Sequence, residues 1–290
     1  MTTIPRQFIG QDPSQASIEN AQTVLVPVPY DGTTSARSGT REGPEAILKA
    51  SFQLEDFDLE LESEPVRIGI ATAHPLEPDV SGPENMVERV REYCKTFHDK
   101  NKFVFVLGGE HTVTVGAARA AIERYGDLSF LQIDAHMDLR NSYEGSPYSH
   151  ACVARRLWEM GSVTAVGIRA GSREEYEWIK KKKAPVFWGR DICGNNDDSW
   201  MDDVIGSLSE KVYVTFDVDG LDPAIMPATG TPEPGGLGYL QVLKLLRKVS
   251  EQRSVVACDL CELRPMQGQE ASDYTAAALV YKMIGYFIKG

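Results

Sequence analysis

Three strings rich in aspartate and histidine, each set at the end of an apolar, β-branched run, constrain this chain more than any other feature. Gly108-Gly109-Glu110-His111 follows Phe103 to Leu107, Asp134-Ala135-His136-Met137-Asp138 follows Ser129 to Ile133, and Asp217-Val218-Asp219 follows Val212 to Phe216. Near-continuous apolar runs of this length read as strands buried on both faces, as in a parallel sheet. Ligands bind open α/β sheets in the crevice beyond the carboxyl ends of the strands. His111, Asp134, His136, Asp138, Asp217 and Asp219 are therefore expected to converge on one place from three separate strands.

Strand-like runs recur along the whole chain with helical stretches between them, the pattern of βαβ units. Besides those three, they are Thr23 to Val28, Val66 to Ile70, Val163 to Ile168, Pro185 to Phe187 and Val255 to Ala257, about eight strands in all. Helical spacing or a first-turn proline marks Gly43 to Leu48, Pro83 to Phe97, Thr112 to Tyr125, Leu240 to Val249 and Asp273 to Ile288. No repeat or long linker divides the 290 residues. The expectation is one α/β domain, 1–290, with a mainly parallel sheet and helices on both faces.

Composition narrows the function. A formal charge of −12 argues against nucleic acid, whose binders need Lys and Arg against phosphates. It is compatible with a cationic small molecule. The first ten residues lack the apolar stretch of a signal peptide, and no apolar run reaches the ~18 residues of a membrane span. A cytoplasmic setting away from membranes is expected. Five cysteines form no paired framework, and Cys258-x-x-Cys261 lies in a strand-like run, so reduced, partly buried thiols are expected. Lys180 to Lys183 reads as the last turn of a helix beginning near Ser172, where cations suit the negative helix end.

The six converging residues suit a metal. Carboxylates and imidazoles favour magnesium, manganese and similar ions over thiolate-loving ones. In Asp134-x-His136-x-Asp138 an extended chain points all three side chains one way, and Asp217-x-Asp219 is expected to do the same. Four aspartates supply a charge of −4, which two divalent ions would cancel; without them, mutual repulsion would force some carboxylates to take up protons. His150 lies near these segments, while His74 and His98 have no such neighbours and read as surface residues.

With these motifs in place, the chain resembles the ureohydrolase family, on its agmatinase branch. The matching strings are Gly-Gly-Glu-His at 108–111, Asp-Ala-His-Met-Asp at 134–138, Ser-His-Ala at 149–151, Phe-Asp-Val-Asp-Gly-Leu-Asp-Pro at 216–223 and Gly-Thr-Pro-Glu-Pro-Gly-Gly-Leu at 230–237. Pro29 to Thr34 and Arg41 to Ile47 look like the family's N-terminal segment. The resemblance implies a three-layer, arginase-like fold, two manganese ions per subunit, and trimers or hexamers. It implies that His111, Asp134, Asp138 and Asp217 hold one ion, that Asp134, His136, Asp217 and Asp219 hold the other, and that Asp138 also serves catalysis. It further implies hydrolysis of a small cationic guanidino substrate, agmatine first, with aminopropylagmatine, guanidinobutyrate and arginine as alternatives. A solvent molecule between two such cations ionises near neutral pH and suits attack on the guanidinium carbon. His150 would carry a proton to the departing amine, and Glu262 would hold the guanidinium nitrogens.

Other readings stay open at this point: a single-zinc deacetylase of the same fold, and a non-catalytic binding protein. In the Leu139 to Ser149 loop, with Arg140, Asn141, Tyr143, Glu144 and Tyr148, Glu144 either meets a terminal ammonium or is simply exposed. Gly235-Gly236 either shapes a loop over the site or makes an ordinary turn.

Overall fold

The structure, a computed structural model, describes residues 6–11, 16–194 and 197–288. Eight strands form one sheet: β1 (Thr23–Val28), β2 (Ile70–Thr72), β3 (Phe103–Gly108), β4 (Ser129–Ile133), β5 (Val163–Ile168), β6 (Val186–Trp188), β7 (Lys211–Asp217) and β8 (Ser254–Cys261). Their order is β2-β1-β3-β8-β7-β4-β5-β6, and every pairing is parallel. This is the expected α/β architecture.

Alternation along the strands supplies two cores. Leu25, Phe105, Leu107, Leu131 and Ile133 face one side, where α1 (Gly43–Ala50), α7 (Trp200–Gly206), α8 (Tyr239–Gln252) and α9 (Glu270–Phe287) pack. Val24, Val26, Val104, Val106 and Phe130 face the other, covered by α2 (Pro83–His98), α3 (Val113–Tyr125) and α4 (Val153–Trp158). A smaller cluster joins α5 (Arg173–Lys182) to Met137, Leu139 and Ala165. α6 (Gly189–Ile192) adds Ile192 to the first core. α5 starts at the expected Ser172, whose hydroxyl accepts from the Glu175 N–H in a capping box, and its last turn carries Lys180 to Lys182.

Two expectations fail here. Val66 to Ile68 belong to a 3-10 turn, Pro65–Ile68, and the strand starts only at Ile70. Pro65 has no N–H for a ladder, Gly69 takes φ +80°, and the Val66 N–H is donated to the Tyr281 hydroxyl instead. His98 is buried rather than exposed. It continues the Val87, Val90, Cys94 stripe of α2 and meets the Tyr125 ring edge-on at 5.4 Å. The cysteines are free as expected, and Cys94, Cys152, Cys258 and Cys261 are fully buried.

Candidate metal centre and active site

The strand ends deliver their acidic groups through turns rather than extended chain. Beyond β3, Gly109 passes so close to the loop after β1 that a Cβ there would lie 2.1 Å from the Tyr30 carbonyl oxygen. That close approach turns the backbone and leads His111 into the start of α3. Beyond β4, Asp134 accepts the His136 N–H at 2.6 Å, and Asp138 adopts φ +49°. Asp217 ends β7 and accepts the Asp219 N–H at 2.9 Å inside the 3-10 turn Val218–Gly220. The extended geometry expected across 134–138 and 217–219 is therefore corrected: side-chain-closed Asx turns gather the carboxylates.

All six residues nevertheless meet. His111 Nδ1 lies 3.4 Å from Asp134, 3.3 Å from Asp138 and 3.5 Å from Asp217. His136 Nδ1 lies 2.9 Å from Asp219 and 3.7 Å from Asp134. His111, Asp134 and Asp217 form one set able to hold a cation, and Asp134, His136 and Asp219 form another; Asp134 belongs to both. His111 Nδ1 is buried and makes no hydrogen bond in the structure, although three carboxylate oxygens surround it.

The electrostatics call for positive charge. Burial, then Asp219 and Asp134, push the Asp217 carboxyl well above its ordinary range. Burial and Asp134 raise Asp138 to about 7. Burial alone would lower the pKa of both imidazoles. The carboxylates more than reverse that, raising His136 to about 12, with Asp219 the strongest contributor, and His111 well above 6.5. Burial would likewise raise Asp134, and the two imidazoles hold it low instead. A buried cluster that must collect protons to offset its charge fits divalent cations, and its oxygen-rich donors fit hard ones.

A second layer holds the first. The Thr215 hydroxyl donates to Asp259 at 2.8 Å and stands 2.8 Å from His111 Nε2, while the Tyr213 hydroxyl donates to the other Asp259 oxygen at 2.7 Å. Gln132 donates to Asp134 at 2.8 Å, and the Ala135 N–H donates to Asp219 at 3.0 Å. Sequence reading missed Thr215 and Asp259, because a hydroxyl and a carboxyl within apolar runs carry no signal of whom they will touch.

His150 and Glu262 face the same space. With His111, His136, Asp138 and Asp217 they line a cavity of about 150 Å³ whose rim includes Arg37, Arg140 and Tyr143. Glu262 follows β8 at φ +68° and accepts the His111 N–H at 2.7 Å. Burial, then Glu110, raises its pKa to about 8. His150 opens a short 3-10 turn, and burial lowers its pKa. The loop after β1 closes over it: Thr33 and Ser35 reach its ring nitrogens at 3.3 and 3.4 Å. Neither residue was singled out from sequence, although the Pro29 to Thr34 string was the available signal.

In the 139–149 loop, Tyr143 meets the His150 ring edge-on at 6.0 Å and carries the Arg140 guanidinium 4.7 Å from its own ring centre. Glu144 and Gly145 form the exposed tip of a tight turn between Tyr143 and Ser146, both at positive φ. Tyr148 packs on Arg119. The Gly235 and Gly236 N–H groups donate to the Asp222 carboxylate at 2.9 Å, and neither glycine lines the cavity.

The model of the Arginase family matches residues 21–285. An N(1)-aminopropylagmatine ureohydrolase from Synechocystis sp. is 42% identical, the match covering 99% of this chain and 95% of that protein. An agmatinase from Pyrococcus horikoshii is 36% identical over 92% and 93% of the two chains. The crystal structure of agmatine ureohydrolase of Thermoplasma volcanium superposes with a TM-score of 0.87 at 31% identity, covering 98% of this chain and 95% of that one. The chain belongs to the arginase family, on its agmatinase branch of ureohydrolases.

Proposed function

We propose that this enzyme is a binuclear manganese amidinohydrolase, releasing urea from a linear guanidino compound. The observation that carries the reading is a single cavity onto which the buried cluster, His150 and Glu262 all open. His111, Asp134, Asp138 and Asp217 would hold one ion, and Asp134, His136, Asp217 and Asp219 the other. When bound, the pair supplies an ionised water at neutral pH and offsets the carboxylate charge.

The protein's own groups do the rest. Glu262 holds the guanidinium through charge-assisted hydrogen bonds and presents its carbon to the cluster. Asp138 accepts a hydrogen bond from the attacking water and orients it. His150 moves a proton to the departing nitrogen, and burial keeps its imidazole neutral and ready to accept one. The Tyr143 and Arg140 rim meets the substrate's tail.

Substrate preference rests on the relatives. Agmatine was the first expectation from sequence. The 42% identity to a protein named N(1)-aminopropylagmatine ureohydrolase favours the aminopropyl derivative, with agmatine as the second substrate. We place the enzyme in the cytoplasm as one domain assembled into homo-oligomers, acting in polyamine formation. No helix among the described residues is long and apolar enough to cross a membrane.

The test is urea release from aminopropylagmatine, agmatine, guanidinobutyrate and arginine, with and without manganese, alongside metal analysis. Manganese-dependent turnover of the first two is expected. One tightly held zinc with no manganese activation would turn the reading toward the single-zinc deacetylases.

A further inference from the structure

We propose that Thr33 and Glu110 are positioning residues for His150: they fix the proton on its Nδ1, so that Nε2 is the atom that exchanges protons in the cavity. This rests on the reading of His150 as the proton shuttle.

Glu110 is fully enclosed, and Thr33 reaches both of its oxygens. Oε1 accepts the Thr33 hydroxyl at 2.7 Å and Oε2 accepts the Thr33 N–H at 2.7 Å. Thr33 presents both of its donors, the N–H and the hydroxyl, to this one carboxyl group, so the hydroxyl proton of Thr33 is directed at Glu110. What remains on Thr33 Oγ1 is lone-pair capacity, and His150 approaches it twice. The His150 backbone N–H donates to it at 3.0 Å, and Nδ1 stands 3.3 Å away. An acceptor that has already committed its proton orients Nδ1 as an N–H donor. The Ser149 hydroxyl, also 3.3 Å from Nδ1, can accept from the same proton.

Nε2 then keeps its lone pair, and its hydrogen-bond neighbour is Ser35 at the cavity wall. The Tyr143 ring stands edge-on beside the imidazole, with ring centroids 6.0 Å apart. In turnover, the hydroxyl proton of the tetrahedral intermediate moves to Nε2. The carbon–nitrogen bond breaks with its electron pair going to nitrogen, and Nε2 passes the same proton to that nitrogen. Urea and amine result, and the imidazole returns to its starting tautomer without turning. Nothing in the sequence reading assigned Thr33 or Glu110 to this task.

The test is the ¹⁵N shift pattern of His150 in the full chain loaded with magnesium, which is diamagnetic, with His150→Ala providing the assignment. The expected pattern is Nδ1–H; an Nε2–H pattern overturns the proposal. Thr33→Val removes the acceptor at nearly the same volume. It should shift the tautomer pattern and lower kcat about 10- to 100-fold with KM and manganese content unchanged, while Thr33→Ser restores both. A Thr33→Val enzyme with kcat within about twofold of wild type and an unaltered tautomer overturns the proposal. Wild-type turnover by His150→Ala would instead remove the shuttle reading itself, an outcome the tautomer measurement does not depend on.

Discussion

His111 Nε2 lies 2.8 Å from the Thr215 hydroxyl, whose own proton goes to Asp259 at 2.8 Å, so the imidazole donates through Nε2 and turns Nδ1 toward three aspartates. The sheet itself builds this contact, since Thr215 and Asp259 are register partners on neighbouring strands. Removing such an outer partner typically costs about 10- to 100-fold in metal affinity. We expect Thr215→Val to weaken manganese binding by about that factor in calorimetric titration. Unchanged affinity would show that packing alone orients the ring.

Metal binding should be linked to pH. The folded pKa of His111, His136, Asp138 and Glu262 lies above the ordinary value. For a raised group, the stabilisation is fully present below the unfolded pKa and is lost as pH rises through the folded one. The metal-free protein should therefore lose stability as pH rises from about 4 through about 8, the range of Asp138 and Glu262, and further toward about 12 as His136 loses its proton. Cations displace these protons, so manganese should raise Tm more at pH 8 than at pH 6 and release protons on binding. Thermal scans with and without chelator, together with titrations in buffers of different ionisation enthalpy, check both.

The acid side has a different origin. Burial, then Arg124, lowers His98 to about 4 from 6.5, and both its ring nitrogens are buried without a hydrogen bond in the structure. Its contribution is therefore lost as pH falls from about 6.5 to 4, because the unfolded chain takes up the proton first. The gap corresponds to roughly 3 kcal/mol. We expect His98→Phe, which cannot titrate, to flatten the fall in stability over that window. Denaturant midpoints measured at pH 4.5 and 6.5 that fall equally in variant and wild type would refute the assignment.

Tail recognition should run through Tyr143. Its ring lines the cavity, whereas Glu144 is exposed at the tip of the turn. An aromatic face against a cationic tail contributes about 0.5–2 kcal/mol. Tyr143→Ala should raise KM about 3- to 10-fold for the longer substrate, and Glu144→Gln should change it less than about twofold. The reverse order in steady-state kinetics would move tail recognition to Glu144.

The sequence alone determined the sheet and the acidic cluster, because both are written in contiguous residues. Apolar runs such as Phe103 to Leu107 suit strands buried on both faces of a parallel sheet, and the histidine and aspartate strings that follow such runs emerge at its carboxyl edge. Failures came where a neighbour far along the chain settled the outcome. Val66 gives its N–H to Tyr281, and the last residue of α2, His98, meets Tyr125. Tertiary structure also decided how the carboxylates approach, through turns closed by Asp134 and Asp217. It alone brought Thr33 to His150 and Asp259 to His111 by way of Thr215. Those partners lie 117 residues apart in the first case, and local periodicity carries no information about hydrogen bonds that only the packing of separate strands and loops can create.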